Sequence, residues 1–249
     1  DLNAGTGLLT WEAVRRTPEG SVWARVGDEK SASGLRAQAL NLNEMDRPVI
    51  MAGPLEKIRE LVSAEGEGDV RFDAVVGRNA LLPVNDKVAA VQAVEQVLAP
   101  EGTISFVETV PRLGQRIYDL VGREGLDDKL LKKWISAEEA IYEDPENPMV
   151  NWTPDDLVSV FDQAGFLIKY LHSEQTAIEI LVTDTVLTRW FPEVNGAPKM
   201  PARPSYRERL SVLLSPDEVD QIRRHITLKL AGKQLPWTSE SIYLVAAWK

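Results

Sequence analysis

Apolar positions along this chain alternate between short runs and helical stripes. Ser21-Val22-Trp23-Ala24-Arg25-Val26, Pro48-Val49-Ile50-Met51-Ala52, Phe72-Asp73-Ala74-Val75-Val76 and Thr103-Ile104-Ser105-Phe106-Val107 are short β-type runs set off by turn-forming residues. Between them, Leu8 to Thr17, Ala32 to Leu42, Leu55 to Val62 and Asp86 to Leu98 read as helices. In the last of these, Val88, Val91, Val94, Val97 and Leu98 line one side. Strands alternating with helices at this spacing imply βαβ units and a parallel sheet. Right-handed crossovers then place helices on both faces.

Beyond Glu108 the pattern changes. Leu113 to Gly122 and Asp127 to Tyr142 read as helices, and Asp144 to Pro148 as a loop. Thr153-Pro154-Asp155-Asp156 opens a further helix, with Thr153 as N-cap, Pro154 at the first helical position and two acids in the first turn. Ala164-Gly165 ends it. Phe166 to Val182 then reads as an extended strand, Asp184 to Phe191 and Tyr206 to Leu214 as helices, and Ser215-Pro216-Asp217-Glu218 as the cap of a helix reaching about Leu230. Ser241 to Ala247 is the last strand.

Ligands of open α/β sheets bind beyond the carboxyl ends of the strands. The Asp1–Gly7 turn, the residues after Val26, Gly53-Pro54 and Arg78-Asn79 all fall at those ends. The opening Asp1-Leu2-Asn3-Ala4-Gly5-Thr6-Gly7 reads as a strand end followed by a tight glycine turn. The strand that feeds it is expected upstream, in a longer polypeptide, with about five residues of strand before Asp1.

Composition narrows the function classes. The 249 residues suit one large α/β domain or two small ones. Cysteine is absent, so disulfides and thiolate metal sites are excluded, and a reducing cytoplasm fits. His172 and His225 are too few and too far apart for a histidine metal centre. No apolar run approaches membrane-spanning length. The net charge of −10 repels nucleic-acid phosphates, so autonomous nucleic-acid binding is not expected. Arg15-Arg16, Lys132-Lys133 and Arg223-Arg224 read as solvated helix faces. Glu108 and Arg112 read as a structural ion pair, and Trp152 and Trp190 as core or interface residues.

The order of elements resembles the class I S-adenosylmethionine-dependent methyltransferases. Asp1, Gly5 and Gly7 match the acid and the last two glycines of that family's first motif, with Asn3 in place of the first glycine. Phe72 to Val76 resembles its fourth-strand motif, and Val97-Leu98-Ala99-Pro100-Glu101-Gly102-Thr103 the turn before strand five. Trp152 to Leu157 with Ala164-Gly165-Phe166 resembles the stretch before strand six. The resemblance covers nearly the whole chain. It implies a single domain over residues 1–249 with a Rossmann-like, seven-stranded, mostly parallel sheet, helices on both faces and an antiparallel last strand. Helical insertions are expected at about 113–143 and 184–232.

The resemblance further implies an S-adenosylmethionine site built from Asp1, Asn3, Ala4, Gly5, Gly7, Asp28, Gly53, Pro54, Arg78 and Asn79, without a metal. The family's ribose-binding acid falls by position on Val26, with Asp28 and Glu29 near enough to substitute. Gly53-Pro54 stands where active members often carry an acid near the adenine. Arg78 and Asn79 sit where methyl acceptors lie, and the residues single out no catalytic group. The phrases DLNAGTGLLTWEA, GRNALL, ETVPRLGQRIYDL and DPENPMVNW resemble a methyltransferase-like domain fused behind a replication-associated recombination AAA+ ATPase. Two rivals follow: a degenerate interaction or regulatory module of such an ATPase, and a dinucleotide-binding dehydrogenase that uses the same glycine turn.

Overall fold

The computed structural model describes residues 1–66, 69–122, 124–193 and 204–249. They divide into two compact units, the first made of Asp1–Val110, Trp152–Glu174 and Ser241–Lys249, the second of Pro111–Asn151 and Gln175–Glu240.

In the first unit the chain alternates as the apolar pattern implies: α1 (Leu8–Arg16), β1 (Trp23–Val26), α2 (Glu29–Ala39), β2 (Val49–Ala52), α3 (Ile58–Glu65), β3 (Phe72–Arg78), α4 (Lys87–Glu95) and β4 (Leu98–Thr109). Helix α2 begins three residues before the apolar stripe suggests, because Asp28 caps it, accepting the Ser31 backbone N–H at 2.9 Å. The β4 strand likewise starts at Leu98, so the Pro100-Glu101-Gly102 turn is a distortion inside a strand. There a Cβ on Gly102 would lie 2.8 Å from the Phe72 carbonyl.

After α5 (Ile117–Val121) and α6 (Asp128–Tyr142) come α7 (Pro154–Gln163) and β5 (Phe166–Leu181). Helix α7 carries the expected capping box between Thr153 and Asp156 with Pro154 in its first turn. Then follow α8 (Asp184–Trp190), α9 (Tyr206–Leu210), α10 (Pro216–Leu230) and β6 (Gln234–Trp248). The second helical insertion therefore holds α8 to α10, with residues 194–203 outside the described set.

The expected seven-stranded sheet is not what forms. The described strands make a two-stranded parallel sheet, β1-β2, and a four-stranded mixed sheet in the order β3-β4-β6-β5. β3 and β4 are parallel, whereas β6 runs antiparallel to β4, pairing Thr103 with Ala247 and Thr109 with Ser241. The antiparallel last strand thus stands. Among the described residues, Asp1, Leu2 and Ala4 make backbone hydrogen bonds to β1 at Trp23 and Arg25 and to β3 at Val76.

Each unit has its own core. In the first, Ala24, Val26, Leu35 and Ile50 pack under α2, while Phe106, Phe161, Phe166 and Trp248 form an edge-to-face chain at centroid separations of 5.3–6.0 Å. In the second, Trp134, Leu210, Ile222 and Ile226 are buried together. Burying each such side chain stabilises by about 2 kcal/mol. No described helix is long and apolar enough to cross a membrane.

Candidate functional site

The turn after residue 1 is built by side chains of its own. The Asp1 carboxylate accepts the Asn3 backbone N–H at 3.2 Å and the Thr10 hydroxyl at 2.9 Å, tying the turn to the first helix. Gly5 and Gly7 take left-handed φ values of 55° and 94°, which glycine adopts without a Cβ penalty. The two glycines differ in surroundings. Gly5 is exposed, and a Cβ there would meet only the Asn3 carbonyl at 3.9 Å. Gly7 is buried, and a Cβ would lie 2.3 Å from Trp11 Nε1 and 2.9 Å from Leu35. Gly7 therefore serves packing, while the space over Gly5 stays open.

Asn3 links this turn to the end of β3. Its side-chain amide donates to the carbonyls of Arg78 at 2.9 Å and Asn79 at 3.1 Å. Asn79 is the one described non-glycine residue with positive φ, at 53°, a conformation Asn tolerates better than most. Its backbone N–H donates to Val107 at 2.8 Å, and its side-chain oxygen accepts the Thr109 N–H at 2.8 Å. Asn79 is thus committed to the backbone at the end of β4, whereas Arg78 is exposed.

The other two strand ends meet through Arg25. Its Nε donates to Gly53 at 2.6 Å and its Nη1 to Leu2 at 3.2 Å, and its own carbonyl accepts the Ala4 N–H at 3.0 Å. Burial lowers its pKa, yet an arginine remains charged. Pro54 is exposed and precedes a short 3-10 turn, Leu55–Lys57. Asp28 is exposed, and hydrogen bonds from the Ser31 backbone and hydroxyl hold its carboxyl below its ordinary range. It is ionised at neutral pH and keeps lone pairs for a further donor. Val26, by contrast, is buried.

Sequence reasoning overlooked Trp11 as the cover of Gly7, and Arg25. A charged residue inside an otherwise apolar strand run was the available signal for the latter. Glu108 also takes a role different from its expected ion pair with Arg112, which belongs to the second unit. Glu108 is fully buried, and its Oε1 accepts the Leu81 N–H at 3.0 Å. Burial raises its pKa to about 7, against the lowering effect of backbone N–H groups of Leu81, Ala80 and Leu82 and of the Lys87 charge. Glu108 thereby holds the segment that follows Arg78-Asn79. Trp152 is buried, as expected, with the Lys87 ammonium 5.8 Å from its ring centroid.

No family model matches the chain, and no curated protein matches it in sequence. Solved structures do. An S-adenosylmethionine-dependent methyltransferase of Methanosarcina mazei is 14% identical, with a TM-score of 0.50, covering 99% of this chain and 89% of its own. The YcgJ protein of Bacillus subtilis is 13% identical, with a TM-score of 0.52 and the same two coverages, 99% and 89%. A candidate methyltransferase of Bacillus halodurans gives a TM-score of 0.52 at 15% identity, covering 98% and 89%. The chain has a Rossmann-like methyltransferase fold.

Within a methyltransferase fold, the cofactor stands beyond the carboxyl ends of the parallel strands. The residues present fit S-adenosylmethionine there on two observations: the unfilled face of Gly5 and the exposed, ionised Asp28 at the end of β1. The face of Gly7 is taken by Trp11.

Proposed function

We propose that this chain is an S-adenosylmethionine-dependent methyltransferase domain whose acceptor is still to be found. The observation that carries the reading is the open Gly5 turn, tied through Asn3 to the end of β3 and through the Ala4 N–H to Arg25 of β1, the strand that Asp28 follows. Backbone at Gly5 can approach a ligand closely because no Cβ intervenes. Asp28 accepts hydrogen bonds from the ribose hydroxyls, and exposed Arg78 offers a charge-assisted contact to an anionic acceptor group. When bound, the cofactor supplies the electrophilic methyl group. The protein's part is to orient the acceptor in line with it. Glu108 keeps the segment after Asn79 in place.

A second reading is favoured by Trp11 over Gly7 and by Gly53-Pro54, which brings no acid. In it, the domain is a non-catalytic interaction module of a larger DNA-maintenance ATPase, as the sequence phrases suggest. Calorimetric titration with S-adenosylmethionine and S-adenosylhomocysteine separates the two. Micromolar binding supports the first, and no heat at millimolar ligand overturns it.

A further inference from the structure

Strand β5 ends the four-stranded sheet, so one of its edges has no neighbouring strand among the described residues. It is 16 residues long, with no proline and a single lysine, whereas free edges are ordinarily kept short, charged or broken by proline. From Lys169 to Glu179 every residue is exposed, so both faces of the strand meet water there. Leu167, Tyr170, Leu171, Ile178 and Leu181 are each 43–62% exposed, an apolar row that marks an interaction surface. The charged side chains among them are Lys169, Glu174 and Glu179.

The order of these residues is complementary to itself. Two copies meeting edge to edge in a closed pair are related by a two-fold axis perpendicular to the sheet, which sets the strands antiparallel. Directly opposite residues then point to the same face, so odd-numbered positions meet odd ones and even meet even. Lys169 can therefore face Glu179 of a second copy but never Glu174. The register that joins Lys169 to Glu179 centres on Glu174 and runs from Leu167 to Leu181. It also sets Leu167 against Leu181, Ile168 against Ile180, Tyr170 against Ile178 and Leu171 against Ala177. Every exposed apolar side chain of the strand thus faces an apolar one, and the axis makes each pair twice. The one mismatch is Glu174, which meets its own copy at the axis. A register centred on Ser173 pairs His172 with Glu174, but it sets Leu167 against Glu179 and Leu171 against Gln175.

We propose that the free edge of β5 is a dimer interface whose occupant is β5 of a second copy of this chain, antiparallel and in register about Glu174. Pairing continues the four-stranded sheet across the axis into its copy. Backbone hydrogen bonds along about 50 Å of edge supply affinity, and the side-chain pairs fix the register. A strand from an unrelated protein satisfies the same backbone groups, but only this strand matches both the charges and the apolar order. The inference stands apart from methyl transfer, since it concerns assembly and holds with or without a cofactor.

The test is sedimentation equilibrium of the protein and its variants, with thermal unfolding to show that each is folded. The expected result is a dimer with a micromolar dissociation constant. Lys169→Glu and Glu179→Lys each bring like charges together twice and are expected to weaken it by roughly tenfold or more. The double variant Lys169→Glu/Glu179→Lys exchanges the charges and is expected to restore the dimer to within about threefold of the wild type. Glu174→Gln removes the like-charged pair at the axis and is expected to tighten it by about threefold; it reverses no charge, so it reads the register even where a reversal unfolds the chain. A protein that stays monomeric at millimolar concentration overturns the proposal. So does a dimer indifferent to both single reversals, or one that a folded double variant fails to restore. Calorimetry with S-adenosylmethionine reads the methyltransferase proposal separately.

Discussion

The side-chain amide of Asn3 donates to the backbone carbonyl of Asn79, 76 positions away, at 3.1 Å. With its second bond, to Arg78 at 2.9 Å, Asn3 joins the glycine turn to the end of β3. A glycine in that place could not make either bond. Asn3→Gly is expected to lower stability by about 1–2 kcal/mol and to weaken S-adenosylmethionine binding. Chemical denaturation and calorimetry read the two effects, and an unchanged denaturation midpoint would refute the coupling.

Gly5 and Gly7 should separate packing from binding. Gly7→Ala drives a methyl group into Trp11 and is expected to cost about 2–3 kcal/mol of stability. Gly5→Ala meets no clash, so its cost is the left-handed backbone alone, about 1 kcal/mol. If the face of Gly5 receives the cofactor, Gly5→Ala loses more affinity than stability. Paired thermal unfolding and titration of the two variants check the order.

Asp28 has two jobs to distinguish. Ser31→Ala removes the hydroxyl bond to the carboxylate and leaves the cap from the Ser31 backbone N–H, so cofactor affinity should change little. Asp28→Ala removes the cap and the ribose acceptor together. It is expected to lower stability through loss of the cap and to lose at least roughly tenfold in affinity. Equal affinity in wild type and Asp28→Ala would remove Asp28 from the site.

Glu108 makes stability depend on pH. Its folded pKa, raised to about 7, lies above its ordinary value of 4.5, so the folded state holds the proton more tightly than the unfolded one. Stability is therefore fullest below the ordinary value and falls as pH rises through 4.5 to 7. Glu108→Gln keeps an acceptor for Leu81 and abolishes this pH dependence. The difference between wild type and variant should drift by at most about 3 kcal/mol from pH 4 to pH 8. Urea titrations across that range measure it, and parallel curves would show that Glu108 does not titrate there.

Tyr206 anchors the second unit. Its hydroxyl accepts from Trp134 Nε1 at 2.6 Å and donates to the buried Glu138 at 2.6 Å. Tyr206→Phe leaves both partners short of one bond inside a low-dielectric core and is expected to cost about 2–3 kcal/mol. A loss under about 0.5 kcal/mol, within the range of an ordinary surface change, would show that water replaces the hydroxyl.

Much of the element order was legible because its signals are local. Thr153 with Asp156, and Ser215 with Glu218, close their capping boxes within four residues. The apolar stripe of α10, with Val219, Ile222, Ile226 and Leu230 buried, follows from the helical period alone. The turn at Asp1–Gly7 was readable from its own residues, whereas the antiparallel last strand was reached through family resemblance. Asp28 shows where local reading stops. Its capping of α2 follows from its place before Ser31, but its openness to a ligand depends on what packs over it.

The sequence by itself determined the order of strands and helices and the caps of α7 and α10, since those choices rest on neighbours a few positions apart. Tertiary structure decided the rest. It brought Asn3 of the glycine turn against the carbonyls of Arg78 and Asn79 at the end of β3. It set Trp11 over Gly7 and left Gly5 open, and it buried Glu108 against the Leu81 amide. Each of these depends on side-chain direction and close packing between segments far apart in the chain, which no short window of residues contains.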